Sequence, residues 1–292
     1  MQRIIISLIL LISVSFCWAH RPIKENNDVV LNNETYRAFT DSLTALGDRE
    51  FFVTGDFDKA LKYYASAYKY GGVDAAFMLG RCLAEGLGTL QDTDQAIKLW
   101  MQAANAGSAD AALKLGQCYG IGLGVRKDEK KSFEWYEIAD KRGSLEGTYI
   151  LGNLYRLGVG VEVDQEKTIE LWRKAADGGV AAAQEYLGME YLEGNIVRRN
   201  ILDARKYLVM AADQGRAKAA YYAGLCYEKS YGLPNEDYVS AAYYYMIAAD
   251  AEIPEAQYRL ALLYTDGKGV DQNQERATYW LVQAQKNGLK VE

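Results

Sequence analysis

The sequence predicts an all-α fold, a solenoid of antiparallel helix pairs, and three observations predict it. Leu79-Gly80 recurs as Leu115-Gly116, Leu151-Gly152 and Leu187-Gly188, then as Ala223-Gly224 and Leu260-Ala261, at spacings of 36, 36, 36, 36 and 37 residues. A glycine-rich turn follows in four units (Gly86-Leu87-Gly88, Gly122-Leu123-Gly124, Gly158-Val159-Gly160 and Gly267-Lys268-Gly269), and an Asp or Asn comes next at Asp92, Asp128, Asp164, Asn200, Asp237 and Asn273. An alanine-rich second segment then closes at Gly107, Gly143, Gly179, Gly215 and Gly288. A fixed period of this length, punctuated the same way each time, marks a repeat array.

Each part of the unit has a physical reason. In the first segment of one unit, Ala111, Leu115, Cys118 and Tyr119 share one side at helical spacing. Gly116 lies on that face and, lacking a Cβ, lets another helix approach. The Gly-x-Gly turn stops the first helix by allowing positive φ. The Asp or Asn after it is a favourable N-cap for the second helix. On that helix Ser132, Tyr136 and Ala139 form the expected buried face, and Gly143 ends it. A single pair cannot bury its apolar faces alone, so stacking of pairs supplies the core.

Six such units are expected at 73–108, 109–144, 145–180, 181–216, 217–253 and 254–289, with a one-residue insertion near Pro234. A degenerate helix pair at 34–72 precedes them as an N-terminal cap. There Asp56, Ala60, Tyr64, Ala67 and Gly71 stand 36 residues before Asp92, Ala96, Trp100, Ala103 and Gly107. Its first helix, roughly 34–53, is expected to lack the Leu-Gly signature. Residues 20–33 read as a flexible polar leader. Residues 1–19 read as a cleaved export signal: Arg3, an apolar run from Ile4 to Val14, then Cys17-Trp18-Ala19. Cys17 invites a lipid-anchored alternative, which Phe16 just before it disfavours. The apolar run is short for a membrane span of about 20 residues, and no later stretch is a candidate. The expected location is the periplasm, the cell envelope or outside the cell.

Composition narrows the function. Half of the 292 residues are hydrophobic and three are proline, which suits a packed core rather than disorder. Net charge is −6 and becomes −7 without residues 1–19, which carry Arg3 and no acid. Such a chain has no general attraction for a phosphate backbone, so nucleic acid is not an expected partner. Of four cysteines, Cys82, Cys118 and Cys226 survive cleavage, and the one histidine is His20. A Cys/His catalytic pair or a histidine metal site has almost nothing to work with. No catalytic residue, metal ligand or cofactor is expected.

The stretches Leu115-Gly116-Gln117-Cys118-Tyr119-Gly120-Ile121-Gly122-Leu123-Gly124-Val125 and Trp172 to Gly179, with the six-fold repeat, resemble the Sel-one-like repeat family of tetratricopeptide-like superhelices. The resemblance covers most of the chain after residue 19. It implies a right-handed α/α superhelix that holds a protein or peptide in its concave groove as an adaptor. It also implies an alternative, an envelope enzyme or a binder of β-lactams or peptidoglycan fragments, as associated with some cysteine-rich relatives. The absence of a repeat-breaking Ser/Lys or His/Asp set argues against that alternative. Some such relatives bridge each helix pair by a disulfide, but the second helices here contain no cysteine.

Such a groove would be lined by the first helices, at the positions two before and one after the signature glycine. The first units carry polar residues there, Arg81, Lys114 and Gln117, as solvated positions should. Later units carry Ile150, Tyr186, Met189, Tyr222, Leu225 and Leu262. An exposed apolar patch with aromatic anchors marks a binding surface, whereas tight curvature would simply cover these side chains. Cys82, Cys118 and Cys226 share one position, two after the glycine. Either Cys82 and Cys118 bridge neighbouring first helices, or all three are small core residues, like Leu154 and Leu263 elsewhere. The Gly-rich turns lack the strand and the Lys-Ser/Thr of a phosphate loop. Glu85, Glu190, Glu193 and Asp266 show no spacing that singles out an acid pair. Asn33-Glu34-Thr35 is a glycosylation sequon. Trp280 and Leu281 on the final helix are expected to be partly uncovered and to offer a surface for self-association.

Overall fold

The computed structural model describes residues 33–231 and 235–289, which form helices joined by turns and short links. The expected export signal, the Cys17 alternative, the leader apart from Asn33 and the insertion near Pro234 lie outside the described residues. The helices are α1 (Asn33–Asp48), α2 (Phe57–Lys69), α3 (Val73–Glu85), α4 (Thr93–Asn105), α5 (Ala109–Ile121), α6 (Glu129–Lys141) and α7 (Leu145–Leu157). Then come α8 (Gln165–Asp177), α9 (Ala181–Glu193), α10 (Ile201–Asp213), α11 (Ala217–Glu228), α12 (Tyr238–Asp250), α13 (Pro254–Asp266) and α14 (Gln274–Lys286). Odd-numbered helices are the first members of each pair and even-numbered helices the second. Each helix packs on the one before and the one after it.

The signature glycine sets the spacing within the pairs that carry it, and Ala261 takes its place in the last. A Cβ on Gly80 would come within 2.6 Å of Trp100 Nε1, on Gly116 within 3.0 Å of the Tyr136 ring, and on Gly152 within 2.7 Å of Trp172 Cδ1. Leu208 and Tyr245 take the same place against Gly188 and Gly224. A large side chain on the second helix thus lies flat on the backbone of the first. The flanking leucines Leu79, Leu115, Leu151, Leu187 and Leu260 are buried beneath it, and alanines on the second helices complete the core.

The ends of the second helices repeat their hydrogen bonds. Asp56, Asp92, Asp128, Asp164, Asn200, Asp237 and Asn273 each accept the backbone N–H three residues on, at 2.9–3.3 Å. Each cap contributes about 1 kcal/mol. The N–H of the capping residue donates back to the first helix, for example Asp128 to Tyr119 and Asn273 to Tyr264, both at 2.9 Å. At the other end an alanine carbonyl accepts from the residue that enters the next unit, as in Ser108 to Ala103 at 2.9 Å and Val180 to Ala175 at 3.0 Å. These closures satisfy helix-terminal groups that would otherwise be orphaned.

The first unit corrects one expectation, for its first helix does carry the signature, as Leu46-Gly47. A Cβ on Gly47 would lie 2.5 Å from the Tyr64 ring, the same contact as Gly80 with Trp100. It sits 33 rather than 36 residues before Gly80 because the unit has no Gly-x-Gly turn. The chain continues from α1 through one π-helical stretch, Arg49–Thr54, directly to Gly55 in the left-handed region. Leu46 is exposed, so here the glycine keeps its role and the leucine does not.

The second glycine of the turn joins neighbouring units. Gly160 has φ +72°, and a Cβ there would lie 2.3 Å from the Glu129 carbonyl oxygen at the start of the preceding second helix. Gly269 approaches the Tyr238 carbonyl in the same way. Gly55 has nearly the same φ, +69°, with nothing near its missing side chain. Gly55→Ala should therefore cost only the left-handed strain, about 1 kcal/mol. Gly160→Ala should cost at least about 2 kcal/mol more, because it also forces a backbone shift. Urea midpoints of the two variants measure the difference, and equal losses would show that the close approach is unimportant.

Candidate interaction surface

Neighbouring first helices approach one another directly at α1/α3 and at α9/α11. Second helices of neighbouring units are linked through long side chains. Tyr207 donates to Asp177 at 2.8 Å, Tyr244 to Asp213 at 3.1 Å, and Lys174 to Asp140 at 2.7 Å. The closer approaches between alternate helices thus fall in the layer of first helices, the layer expected to line the concave face.

On that face the residues flanking the signature glycine all reach solvent in the later units. Tyr186 is 39% exposed and Leu262 38%. Ile150, Met189, Tyr222 and Leu225 are half-buried, as are Arg81 and Lys114. Neighbouring helices thus roof part of each apolar side chain and leave part free. Met189, Tyr222 and Leu225 pack on the core of the last units, and Ile150 on that of Phe133, Tyr136, Leu151 and Tyr155. Met78, at the same position in the first full unit, is buried. Arg81 pairs with Glu85 at 3.0 Å and lies 4.8 Å over the Phe51 ring, and Lys114 donates to Gln117 at 3.2 Å. These positions thus show Arg81, Lys114 and Gln117 in the early units and mostly apolar side chains, with Asn153 and Arg259 among them, in the later ones.

Sequence reasoning missed part of this surface. Tyr186 stacks obliquely on Trp172 (5.6 Å between centroids) and on Tyr149 (6.2 Å). Beside it the nearly buried Glu185 carboxylate takes Arg216 Nε at 2.8 Å, from the residue that caps α11. Tyr149 and Glu185 sit at neither position counted from the glycine, so the spacing rule passed over them. Asn153 and Glu190 are half-buried on the same face. Their signal was legible, because Glu190 holds the position of Cys82, Cys118, Leu154, Cys226 and Leu263.

Other candidates resolve into repeat structure. Lys131 lies 5.4 Å over the Tyr119 ring beside the turn at 122–125, and Lys167 over Tyr155 and Arg276 over Tyr264 repeat the pairing. Among the described residues, no group of three or more His, Cys, Asp or Glu side chains is placed to hold a metal ion. No described helix is long and apolar enough to cross a membrane. On α14, Trp280 and Leu281 are half-buried, while Tyr279 and Val282 are exposed.

Cys82, Cys118 and Cys226 are buried and unbridged. Burial pushes the thiols of Cys82 and Cys226 up to about 11 and raises that of Cys118 as well.

A family model described as Sel1 repeat matches the chain seven times, at residues 44–71, 73–108, 109–144, 145–180, 181–215, 217–252 and 254–289. No curated protein matches the chain. Among solved structures it is similar to a protective antigen present in uropathogenic Escherichia coli strains that displays an SLR fold. The identity is 27% and the TM-score 0.74, over 87% of this chain and 56% of that one. It is likewise similar to a Sel1 repeat protein from Oxalobacter formigenes, with 28% identity and a TM-score of 0.71, over 83% of this chain and 99% of that one. The chain thus spans just over half of the antigen and nearly all of the Oxalobacter protein.

The raised thiol pKa values give a direct check. Since the neutral thiol persists well above the ordinary range, these three cysteines should not react with a disulfide reagent near pH 8 while the protein is folded. All three should react once guanidinium unfolds it. Labelling of Cys82 or Cys226 in the folded protein would contradict their burial.

Proposed function

The chain belongs to the Sel1 repeat family, whose members generally serve as protein-interaction scaffolds, and we propose that it is an exported scaffold that binds a protein or peptide along its inner helices. The observation that carries this reading is the set of apolar side chains beside the signature glycines and Ala261, Tyr186 and Leu262 above all, that reach solvent along the first helices. Fully covered, they would be core alone. Partly exposed on a rigid stack, they supply anchors of the kind that dominate protein interfaces. Binding needs no reaction step. Stacking fixes the inner helices before the partner arrives, which lowers the entropy cost of association.

Two features support export. Residues 1–19 carry the composition of an export signal. The Escherichia coli structure to which the chain is similar is a protective antigen, a role that fits a protein outside the cytoplasm. The acidic net charge, −6, directs the search towards proteins and peptides rather than nucleic acid.

The test is affinity purification with the wild-type chain and with Tyr186→Ala and Tyr222→Ala, read by mass spectrometry and followed by measured affinities. Each substitution should weaken the partner by about tenfold or more, about 1.4 kcal/mol, with helicity unchanged. An identical partner set at unchanged affinity would sink the inner-face reading. Fractionation that leaves the whole protein in the cytoplasm would sink export.

A further inference from the structure

The two edges of the stack differ in what they show to solvent. At one edge every first helix ends and every second helix begins, joined by the turns. At the other, each second helix gives way to the next first helix. The turn edge carries an exposed large apolar side chain in each of the first six helix pairs: Val53, Leu90, Ile121, Leu157, Leu202 and Val239. Leu90 is 88% exposed, Val53 77% and Ile121 74%, well above Tyr186 and Leu262 on the first helices. These side chains project into water rather than lean on a neighbour. In the linkers of the other edge, among the described residues, Tyr70 is the exposed large apolar side chain.

The repeat does not ask for these residues. Five positions after the signature glycine or Ala261, where Ile121 and Leu157 stand, other pairs carry Glu85, Glu193, Lys229 and Asp266. Two positions after the capping Asp or Asn, where Leu202 and Val239 stand, other pairs carry Asp94, Lys130, Glu166 and Glu275. Leu90 has Arg126, Glu162 and Arg198 as its counterparts. The position in the repeat thus changes from pair to pair, while the edge stays the same. Single exposed apolar residues are ordinary on a protein surface, whereas a continuous row of them marks a contact surface.

The row is continuous because the turns are seated in series. Gly88 rests on the start of α2 at Phe57, Gly124 on that of α4 at Thr93, and Gly160 on that of α6 at Glu129. Farther along, Arg205 Nη1 of α10 donates to the Tyr231 carbonyl at 3.1 Å and holds the next turn against that helix. Cations stand between the apolar tips. Exposed Arg126 follows Ile121 and Leu123, and exposed Arg198 and Arg199 precede Leu202. The turns that present them, 122–127 and 194–199, contain no acid, although the chain as a whole is acidic.

We infer that the turn edge docks on a lipid surface, its apolar tips entering the boundary between headgroups and acyl chains while Arg126, Arg198 and Arg199 meet headgroup phosphates. Shape selects this occupant. A folded partner would need one hollow for each tip, at the spacing of the stack and at a register that shifts from pair to pair. The interface of a bilayer receives projecting apolar groups at any spacing. Interfacial binding grows with the apolar area inserted and with the attraction of cations for anionic lipid, and this edge offers both. The tips enter and the helices stay above the surface. The inference does not rest on the inner-face reading, and it leaves the first helices free to hold a polypeptide.

The test is co-sedimentation of the full chain with vesicles of phosphatidylcholine alone and of equal parts phosphatidylcholine and phosphatidylglycerol. The wild-type chain should sediment with the mixed vesicles. Leu90→Ser, Ile121→Ser and Leu157→Ser combined should weaken partition about tenfold or more, with the melting temperature unchanged because the lost side chains stand in solvent. Leu262→Ser should partition like the wild type. Arg126→Gln with Arg198→Gln should weaken binding to the mixed vesicles alone. An environment-sensitive dye on Leu90→Cys, placed selectively because the native thiols are buried, should shift to the blue when mixed vesicles are added. The same dye on Leu262→Cys should not. A wild-type chain that stays in the supernatant with both vesicles overturns the inference, as does a triple variant that partitions like the wild type. If the triple variant loses a captured protein while no vesicle binds, the edge docks on protein and the lipid reading is wrong. Failure of the inner-face reading is seen separately, in Tyr186→Ala and Tyr222→Ala.

Discussion

The contact between a glycine on one helix and a large side chain on the next sets the spacing on which the array depends. Wherever Gly47, Gly80, Gly116, Gly152, Gly188 or Gly224 meets a ring or a leucine, a Cβ would fall at or inside 3.0 Å. The missing side chain lets the pair close up. Closing the pair buries the flanking leucines and brings the second helix near enough for its capping residue to donate back to the first. In these six units the spacing thus follows from one absent methyl group, while the last unit keeps the burial and the cap with Ala261 in that place.

Polar residues in the core serve the same geometry. Gln184 and Gln257 are almost wholly buried, yet each donates its amide to an alanine carbonyl of the preceding second helix, Ala176 at 2.9 Å and Ala249 at 3.0 Å. Their remaining oxygens accept from Gln214 and Asn287. Each glutamine ties its first helix to second helices on both sides. A satisfied buried amide costs little and fixes register between neighbours.

Much of this fold was legible in the sequence, because its signals are local and recur. A glycine beside a leucine, a capping Asp and a closing glycine can each be found by counting. Counting failed at Leu46-Gly47, where a π-helical stretch replaces the usual turn and removes three residues from the period. Nor does counting separate Met78, which is buried, from Tyr186, which shares its position and is exposed. Burial at that position depends on the neighbouring helices, which the period does not describe. Tyr149 and Glu185 were invisible for the same reason, as their importance lies in contacts with Tyr186 and Arg216. Glu190 differed: its departure from the Cys/Leu position was legible, but its partial burial was not.

The turn glycines that seat on the preceding unit have a consequence for how such a chain can change. Four of the joints along the stack are built alike, from a turn glycine (Gly88, Gly124, Gly160 or Gly269) resting on the helix start behind it. A 36-residue block can be gained or lost and the surfaces left behind will still fit, because each had already met a surface of the same kind. Length is thus the freedom this architecture grants at little structural cost. Residues such as Tyr186 and Glu190 belong to one address in the series, and they alone register which block was copied or removed.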